Sequence, residues 1–414
     1  MSKAIPAPRG ALKKSDLRAA NQRLLLNIIR EKQGASRADI VRLTGFSPSS
    51  VTFVVNRMLR DGLLVEAPDD NHSQVGRRPF TLRIRPEAMI AVGAEITHLQ
   101  SRVVTADLYG NILKQREIKW QRDPRIMLTR VRDAIRSLTA GIPEERLLGA
   151  GISLPGTIDR STGRVIAAEH LDWFDVEAGA ILSEGAGVPC FYENDAKLGA
   201  LAERWFCEPG ARPLETFVFV VLGEGLGTGV MIEGRLLHGA SGEASEFGHT
   251  SIVPDGRRCP CGGIGCWEEY ASQRAVERLY AEGIPAKRRG KAAGVNEIVQ
   301  LARQGDAAAS EALRAAANYL GIGFANLNAV FNPEAIVVGD YLASAWDVMG
   351  DWVLTAMRSR GPQRFLSRLR VIPSRHGHDS TLKGAVALVL SRSLAGAGQF
   401  HADLAQPLPA AKRA

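Results

Sequence analysis

The chain has little cysteine and no long apolar run, and both shortages narrow what it can be. Five cysteines in 414 residues, three of them packed between Cys259 and Cys266, exclude a disulfide framework spread along a small chain. The Cys259–Cys261 spacing is too tight for an unstrained bridge of its own. Metal binding is the reading to carry, with a redox or free-thiol role as the alternative. No stretch of about 18 uninterrupted apolar residues occurs, so no membrane span is expected. Met1 to Gly10 lacks the apolar centre of a signal peptide, and the expected location is the cytoplasm, with no membrane partner.

An even spread of positive charge is also missing. Residues 1–86 hold 16 Lys and Arg against 7 Asp and Glu, while the other 328 hold 36 against 37. A basic module on a near-neutral body is the electrostatic footprint of a polyanion binder, because Lys and Arg displace condensed counterions from phosphates. What is present is otherwise ordinary. Apolar residues make up 45% and charged ones 23%, enough for a sizeable core, and the length suggests about two to three domains.

Residues 1–14 are expected to be a disordered tail and 396–414 a flexible one. Between Asp16 and Lys32, Leu17, Leu24, Leu25, Ile28 and Ile29 recur at helical spacing. Ser36, with Asp39 three residues on, caps a second helix that Gly45 closes. Ser47-Pro48 opens a third, with Val51, Val54, Val55, Met58 and Leu59 inward and Gly62 at its end. Leu63 to Glu66 and Phe80 to Ile84 read as short strands around a polar turn, Pro68 to Arg78. Three helices and a two-stranded wing over 15–86 make a winged helix-turn-helix. Its third helix presents Ser47, Ser49, Ser50, Thr52, Phe53, Asn56 and Arg57 to a major groove. Arg77 and Arg78 in the wing suit a narrow minor groove or its phosphates. Double-stranded operator DNA is the expected partner; the alternative is a protein-interaction module with a solvated basic face.

Past Pro86 strands and helices alternate. Met89 to Glu95, Arg102 to Asp107 and Ile112 to Lys119 read as a meander, followed by a helix and the strand Leu148 to Ser153. Phe217 to Leu222, Gly229 to Ile232 and Ala335 to Gly339 repeat the strand character. Two α/β lobes with a cleft are expected, 87–204 completed by a C-terminal helix over 380–395, and 205–379. The second carries Glu246-Phe-Gly-His249 and then Cys259-Pro-Cys261-Gly-Gly-Ile-Gly-Cys266-Trp-Glu268. Three thiolates and an imidazole suffice for a closed tetrahedral Zn²⁺, and closed sites are structural. The ion would pin the loop 246–268.

The run Leu222 to Val230 (Leu-Gly-Glu-Gly-Leu-Gly-Thr-Gly-Val), then Glu233 to Gly239 and the Glu-x-Gly-His and cysteine motifs, resembles the ROK family of repressors and sugar kinases. The resemblance extends from about Asp16 to Ala395. It implies an actin- and hexokinase-like (ribonuclease H-like) pair of lobes behind the DNA-binding head, with zinc on His249, Cys259, Cys261 and Cys266. It also implies a sugar effector in the interlobe cleft, held by Gly156, Asn194, Asp195, Glu246, His249 and Glu268. Carboxylates and amides grip several hydroxyls at once and reject analogues lacking one. Read alone, Asn194-Asp195 is also a helix cap. Gly76-Arg77-Arg78-Pro79 resembles the repressor branch, whose members respond to xylose, N-acetylglucosamine or glucose, and family membership implies homodimers or homotetramers.

In active kinases of that family the position of Asp195 is the general base, so it stands here as a vestigial one. The nucleotide half departs. Where the kinases have Asp-x-Gly-Gly-Thr, this chain has Glu95 for the Asp and Thr97 and His98 for the glycines. Such side chains obstruct phosphate approach, and no Lys or Arg is expected to compensate. Asp340 follows Gly339 where a second glycine is usual. The expectation is a regulator, a repressor in character and not an enzyme, acting on carbohydrate uptake or catabolism genes. The alternatives are a ROK-type sugar kinase with a fused DNA-binding head, and a regulator governed by a partner protein over a vestigial cleft.

Overall fold

Three helices and a hairpin open the chain: α1 (Lys14–Glu31), α2 (Arg37–Thr44), α3 (Pro48–Arg60), β1 (Leu64–Pro68) and β2 (Phe80–Ile84). The computed structural model describes residues 14–68, 80–98, 100–208, 212–284, 293–361 and 363–394. Helix α1 starts at Lys14, the last residue assigned to the expected tail. The capping box of α2 forms. Ser36 Oγ accepts from Asp39 N at 3.1 Å and Asp39 Oδ2 accepts from Ser36 N at 3.2 Å. These bonds to Ser36 hold the Asp39 carboxyl below its ordinary range. Gly45 ends α2 in the left-handed region, φ 68°.

The buried stripe of α3 is narrower than its apolar sequence suggests. Val51, Val55 and Met58 are fully buried, Val54 and Leu59 only half-buried, because one row at spacings of three and four meets the core. Leu25, Ile29 and Ile40 complete that core with Leu64 and Leu82 from the hairpin. Leu82 also bridges Ala35, tying the sheet to the entry of α2.

By their contacts the residues form two compact units, one reaching Met89 and including 390–394, the other spanning 90–389. The second is built from two sheets of the same plan. Its first half runs β3 (Ile90–Ile96), β4 (Gln100–Ala106), β5 (Ile112–Lys119), α4 (Pro124–Thr139), β6 (Leu147–Leu154), β7 (Thr157–Asp159), β8 (Arg164–Ala168), β9 (Trp173–Val176), α5 (Ala178–Ser183), β10 (Cys190–Asn194) and α6 (Asp195–Trp205). Its sheet has the order β10-β6-β3-β4-β5, with β7-β8-β9 as a small sheet beside it. Strands β3, β4 and β5 form an antiparallel meander, and β6 and β10 are added in parallel.

The second half runs β11 (Phe217–Leu222), β12 (Leu226–Ile232), β13 (Arg235–Leu236), α7 (Glu268–Ala271), α8 (Gln273–Gly283), α9 (Val295–Arg303), α10 (Ala307–Phe331), β14 (Ala335–Gly339), α11 (Asp340–Ser344), α12 (Trp346–Arg358), α13 (Gln363–Leu366), β15 (Arg370–Pro373) and α14 (Ser380–Leu394). Its order, β13-β12-β11-β14-β15, is again an antiparallel meander extended by two parallel strands. Two such lobes are the α/β arrangement that the alternating pattern implied. One face of the second sheet is covered by helices α8, α9, α10 and α12, whose apolar residues surround Trp267 and Phe324. Against the other face, Ala200 of α6 packs among Phe217, Phe219 and Met231. Because α6 leaves the end of β10 and lies on the second sheet, its first residues sit where the lobes meet.

Candidate functional site

Every DNA-reading position expected on α3 is solvent-exposed: Ser47, Ser49, Ser50, Thr52, Phe53, Asn56 and Arg57. Phe53 is 57% exposed, on the same face as Asn56. The serines are partly engaged at home. Ser47 Oγ accepts from Ser50 N at 3.2 Å and lies 2.8 Å from Ser50 Oγ, so it holds the helix start as an N-cap. Asn56 Oδ1 accepts from Arg37 Nη2 at 3.0 Å, and Arg37 also pairs with Glu66 at 2.9 Å. Arg37 thus braces α2, α3 and β1, a role its sequence neighbourhood did not signal. Arg77 and Arg78 lie outside the described residues.

In the second unit, the ligand atoms of His249, Cys259, Cys261 and Cys266 all lie within 4.8 Å of one another. Cys259 Sγ is 3.7 Å from His249 Nδ1, and Cys261 Sγ is 3.7 Å from Cys266 Sγ. A tetrahedral ion with Zn–S bonds of about 2.3 Å places two sulfurs about 3.8 Å apart. The donor set and its edges therefore fit such an ion. Burial pushes the Cys266 thiol up to about 11, and a dication would reverse that by favouring the thiolates.

The six cleft positions divide into a fixed frame and a set of converging charges. Asn194 is the N-cap of α6. Its Oδ1 accepts from Ala196 N at 3.0 Å and Lys197 N at 3.4 Å, while its Nδ2 donates to Gly156 O at 3.1 Å. The helix-cap reading thus holds, and one amide hydrogen is left for a ligand. Gly156 has φ 73°, and a Cβ there would stand 2.1 Å from Ala167 O, so only glycine fits. Asp195 opens α6, and burial raises its carboxyl above the usual range despite the Ala196 N–H at 2.8 Å.

Glu246 is open to solvent on one side, yet the walls around it raise its carboxyl. Asp195 and Glu268 push the same way, while Lys197 and His249 oppose them. Glu268 is buried, with Oε1 3.5 Å from His249 Nδ1 and 2.9 Å from Cys259 Sγ. The metal loop and the carboxylates are therefore one structure. Two members were missed in the sequence. Glu268 Oε2 and His170 Nε2 lie 2.7 and 2.8 Å from where a Cβ on Gly225 would be, so His170 faces Glu268 across that glycine. Lys197, 2% exposed, is the third residue of α6. His170 follows β8 on a single 3-10 turn, too short for any periodicity to mark.

The ROK family model matches residues 90–392. The chain belongs to the ROK family. Residues 18–65 match a winged helix-turn-helix DNA-binding model. The xylose repressor of Bacillus subtilis (strain 168) is 30% identical over 385 residues, 91% of this chain and 97% of its own. The crystal structure of a ROK family transcriptional regulator, a homologue of the Escherichia coli Mlc protein, superposes with a TM-score of 0.77 at 24% identity, covering 92% of this chain and 97% of that one. A ROK family glucokinase from Streptomyces griseus, in complex with glucose and AMPPNP, shares 29% identity and a TM-score of 0.62 over 72% of this chain and 98% of its own. This ROK protein is a DNA-binding transcriptional regulator.

In this ROK chain the turn after β3 is bridged by side chains. Glu95 accepts from Arg102 Nε at 3.1 Å and Nη2 at 2.7 Å, and Arg102 Nη1 reaches Asp379 at 2.5 Å. Arg102 is a cation at this turn that the sequence did not signal, and it is engaged by Glu95 and Asp379. Antiparallel pairing of β3 with β4 sets Arg102 opposite Glu95, a neighbour that linear spacing hides. His98 Nε2 lies 3.0 Å from Glu224 Oε1, joining that turn to the β11–β12 turn. Asp340 takes φ 52°, a glycine-like conformation, and its carboxylate accepts from His378 Nδ1 at 2.6 Å, which raises the His378 pKa.

Proposed function

We propose that this regulator acts, as a repressor, on carbohydrate uptake or catabolism genes, and that a sugar between the lobes sets its operator affinity. Gly156, Asn194, Asp195, Glu246, His249 and Glu268 hold the sugar. Helix α3 reads the major groove through Ser47, Ser49, Ser50, Thr52, Phe53, Asn56 and Arg57, with wing residues Arg77 and Arg78 on neighbouring phosphates. A structural Zn²⁺ on His249, Cys259, Cys261 and Cys266 cross-links the loop that carries three of the sugar groups and takes part in no reaction. The protein works in the cytoplasm as a homodimer or homotetramer.

One observation carries the reading. The cleft keeps hydroxyl-gripping groups at one end, while at the other Glu95–Arg102–Asp379, His98–Glu224 and Asp340–His378 join the surfaces that bare backbone amides would have to offer a nucleotide. A protein that holds the sugar and excludes the phosphate donor is a receptor. A sugar shifts the operator equilibrium only by its differential affinity for the two states. Operator-release titrations with D-xylose, N-acetyl-D-glucosamine and D-glucose test this on a duplex selected by the protein itself. Glu246→Ala should leave operator binding within about twofold and abolish a response of about fivefold or more; unchanged release in that variant contradicts the assigned cleft.

The second reading, a sugar kinase with a DNA-binding head, is favoured by Asp195, which stands at the base position, and by the likeness to the glucokinase. Sugar-dependent ADP formation over many turnovers decides for it.

A further inference from the structure

Behind the cleft lies a buried charge cluster that the function above does not use. Glu193, 2% exposed, is the penultimate residue of β10, directly before Asn194-Asp195. One carboxylate oxygen, Oε1, accepts from Asn194 N at 3.0 Å. The other, Oε2, accepts from His238 Nε2 at 2.9 Å and has Arg160 Nη1 at 3.6 Å. Burial would raise this carboxyl, but His238, Arg160 and Lys197 outweigh burial and hold it below its ordinary range. The partners come from separate parts of the fold. Arg160 lies in the β7–β8 turn, Lys197 in α6, and His238 just after β13 in the second lobe.

His238 begins the strap 238–246, which ends at Glu246. Its carbonyl accepts from Ala244 N at 3.0 Å, closing the strap on itself. Lys197 Nζ donates to Gly242 O at 2.7 Å, a second fastening to α6. At the far end Thr228 Oγ1 donates to Ser245 O, anchoring the strap to β12. The same junction of β10 and α6 thus carries Asn194 and Asp195 and also grips the segment bearing Glu246.

We propose that Glu193 and His238 are positioning residues forming the interlobe tether that sets Glu246 against Asn194 and Asp195, so that sugar affinity depends on a buried hydrogen bond outside the sugar's reach. The proposal rests on the sugar reading of the cleft, and its test separates the two. A buried hydrogen bond to a charged group is the strong kind, and losing one partner leaves the other unsatisfied. His238→Leu removes the donor, whereas His238→Gln offers an amide N–H near the former Nε2.

The experiment measures binding of D-xylose, N-acetyl-D-glucosamine and D-glucose to the full chain by calorimetry. Hydrogen exchange of 194–197 and 238–246 and sugar-free operator affinity are followed alongside. His238→Leu should weaken the sugar that wild type binds by about tenfold or more and speed exchange in both segments. Operator affinity should stay within about twofold, and His238→Gln should recover most of the loss. Unchanged affinity and exchange in His238→Leu overturns the tether. So does equal loss of operator binding without rescue by Gln, which marks a merely structural role. If no panel sugar binds wild type, or Glu246→Ala binds normally, the sugar reading fails while exchange in the strap still decides the tether.

Discussion

Asp195 shows how one side chain can serve a site at a cost to the fold. Its carboxyl is raised chiefly by burial, with Asp340 adding to the effect and the Ala196 N–H and His170 opposing it. The folded state therefore holds the proton more tightly than the unfolded chain does. Stability falls as pH rises from the ordinary value of 3.8 through the raised one. Above that range the raised carboxyl is a cost to the fold. Asp195→Asn should accordingly raise the melting temperature at pH 7 and leave it little changed below pH 3.8, while weakening sugar binding. Calorimetric melting of both proteins across pH checks this; a variant less stable at pH 7 contradicts the burial argument. The grouping of residues was legible where chemistry and spacing coincide, as for the three cysteines and His249, which the fold brings together. It was illegible where the fold creates the neighbour, as for Arg102, paired across strands with Glu95, and His238, packed from the other lobe against Glu193.

Among the elements, α2 and α3 were readable nearly to the residue. Ser36, Asp39, Gly45, Ser47 and Pro48 each act at short range on the backbone that follows or precedes them. Strands β7, β8 and β9 went unread because three to five residues carry no usable period. The strand expected over Gly229 to Ile232 begins three residues earlier, at Leu226, because pairing with β11 overrides the weak propensity of glycine. Within α3, Met58 is fully buried, and Met58→Ala should cost about 2–5 kcal/mol. Calorimetry should show this loss in the transition of the first unit and leave that of residues 90–389 in place. Trp267 is in the core, with Phe247 and Ile252 against it, but the stretch 257–266 adds no apolar side chain there, so on the proposed metal site chelation should release zinc, measured by atomic absorption, and raise hydrogen exchange in that stretch. Full retention of protection after metal removal would place the loop's order elsewhere.

At the scale of the molecule, the charge asymmetry and the two compact units point the same way. The excess of Lys and Arg lies within residues 1–86, and the first unit ends at Met89. On the proposed function, polyanion binding and sugar binding have separate housings, and sugar and operator change each other's affinity by one common factor, measurable from either side. Paired titrations, sugar against DNA-bound protein and DNA against sugar-bound protein, should return that factor twice. The claim beneath all of this is that one end of the cleft takes a sugar and the other refuses a nucleotide. Calorimetry of the full chain with the sugar panel and, separately, with Mg²⁺·AMPPNP tests it most directly. The account predicts heat from one sugar and none from the nucleotide up to about millimolar concentration. Micromolar nucleotide binding, with or without sugar present, contradicts it.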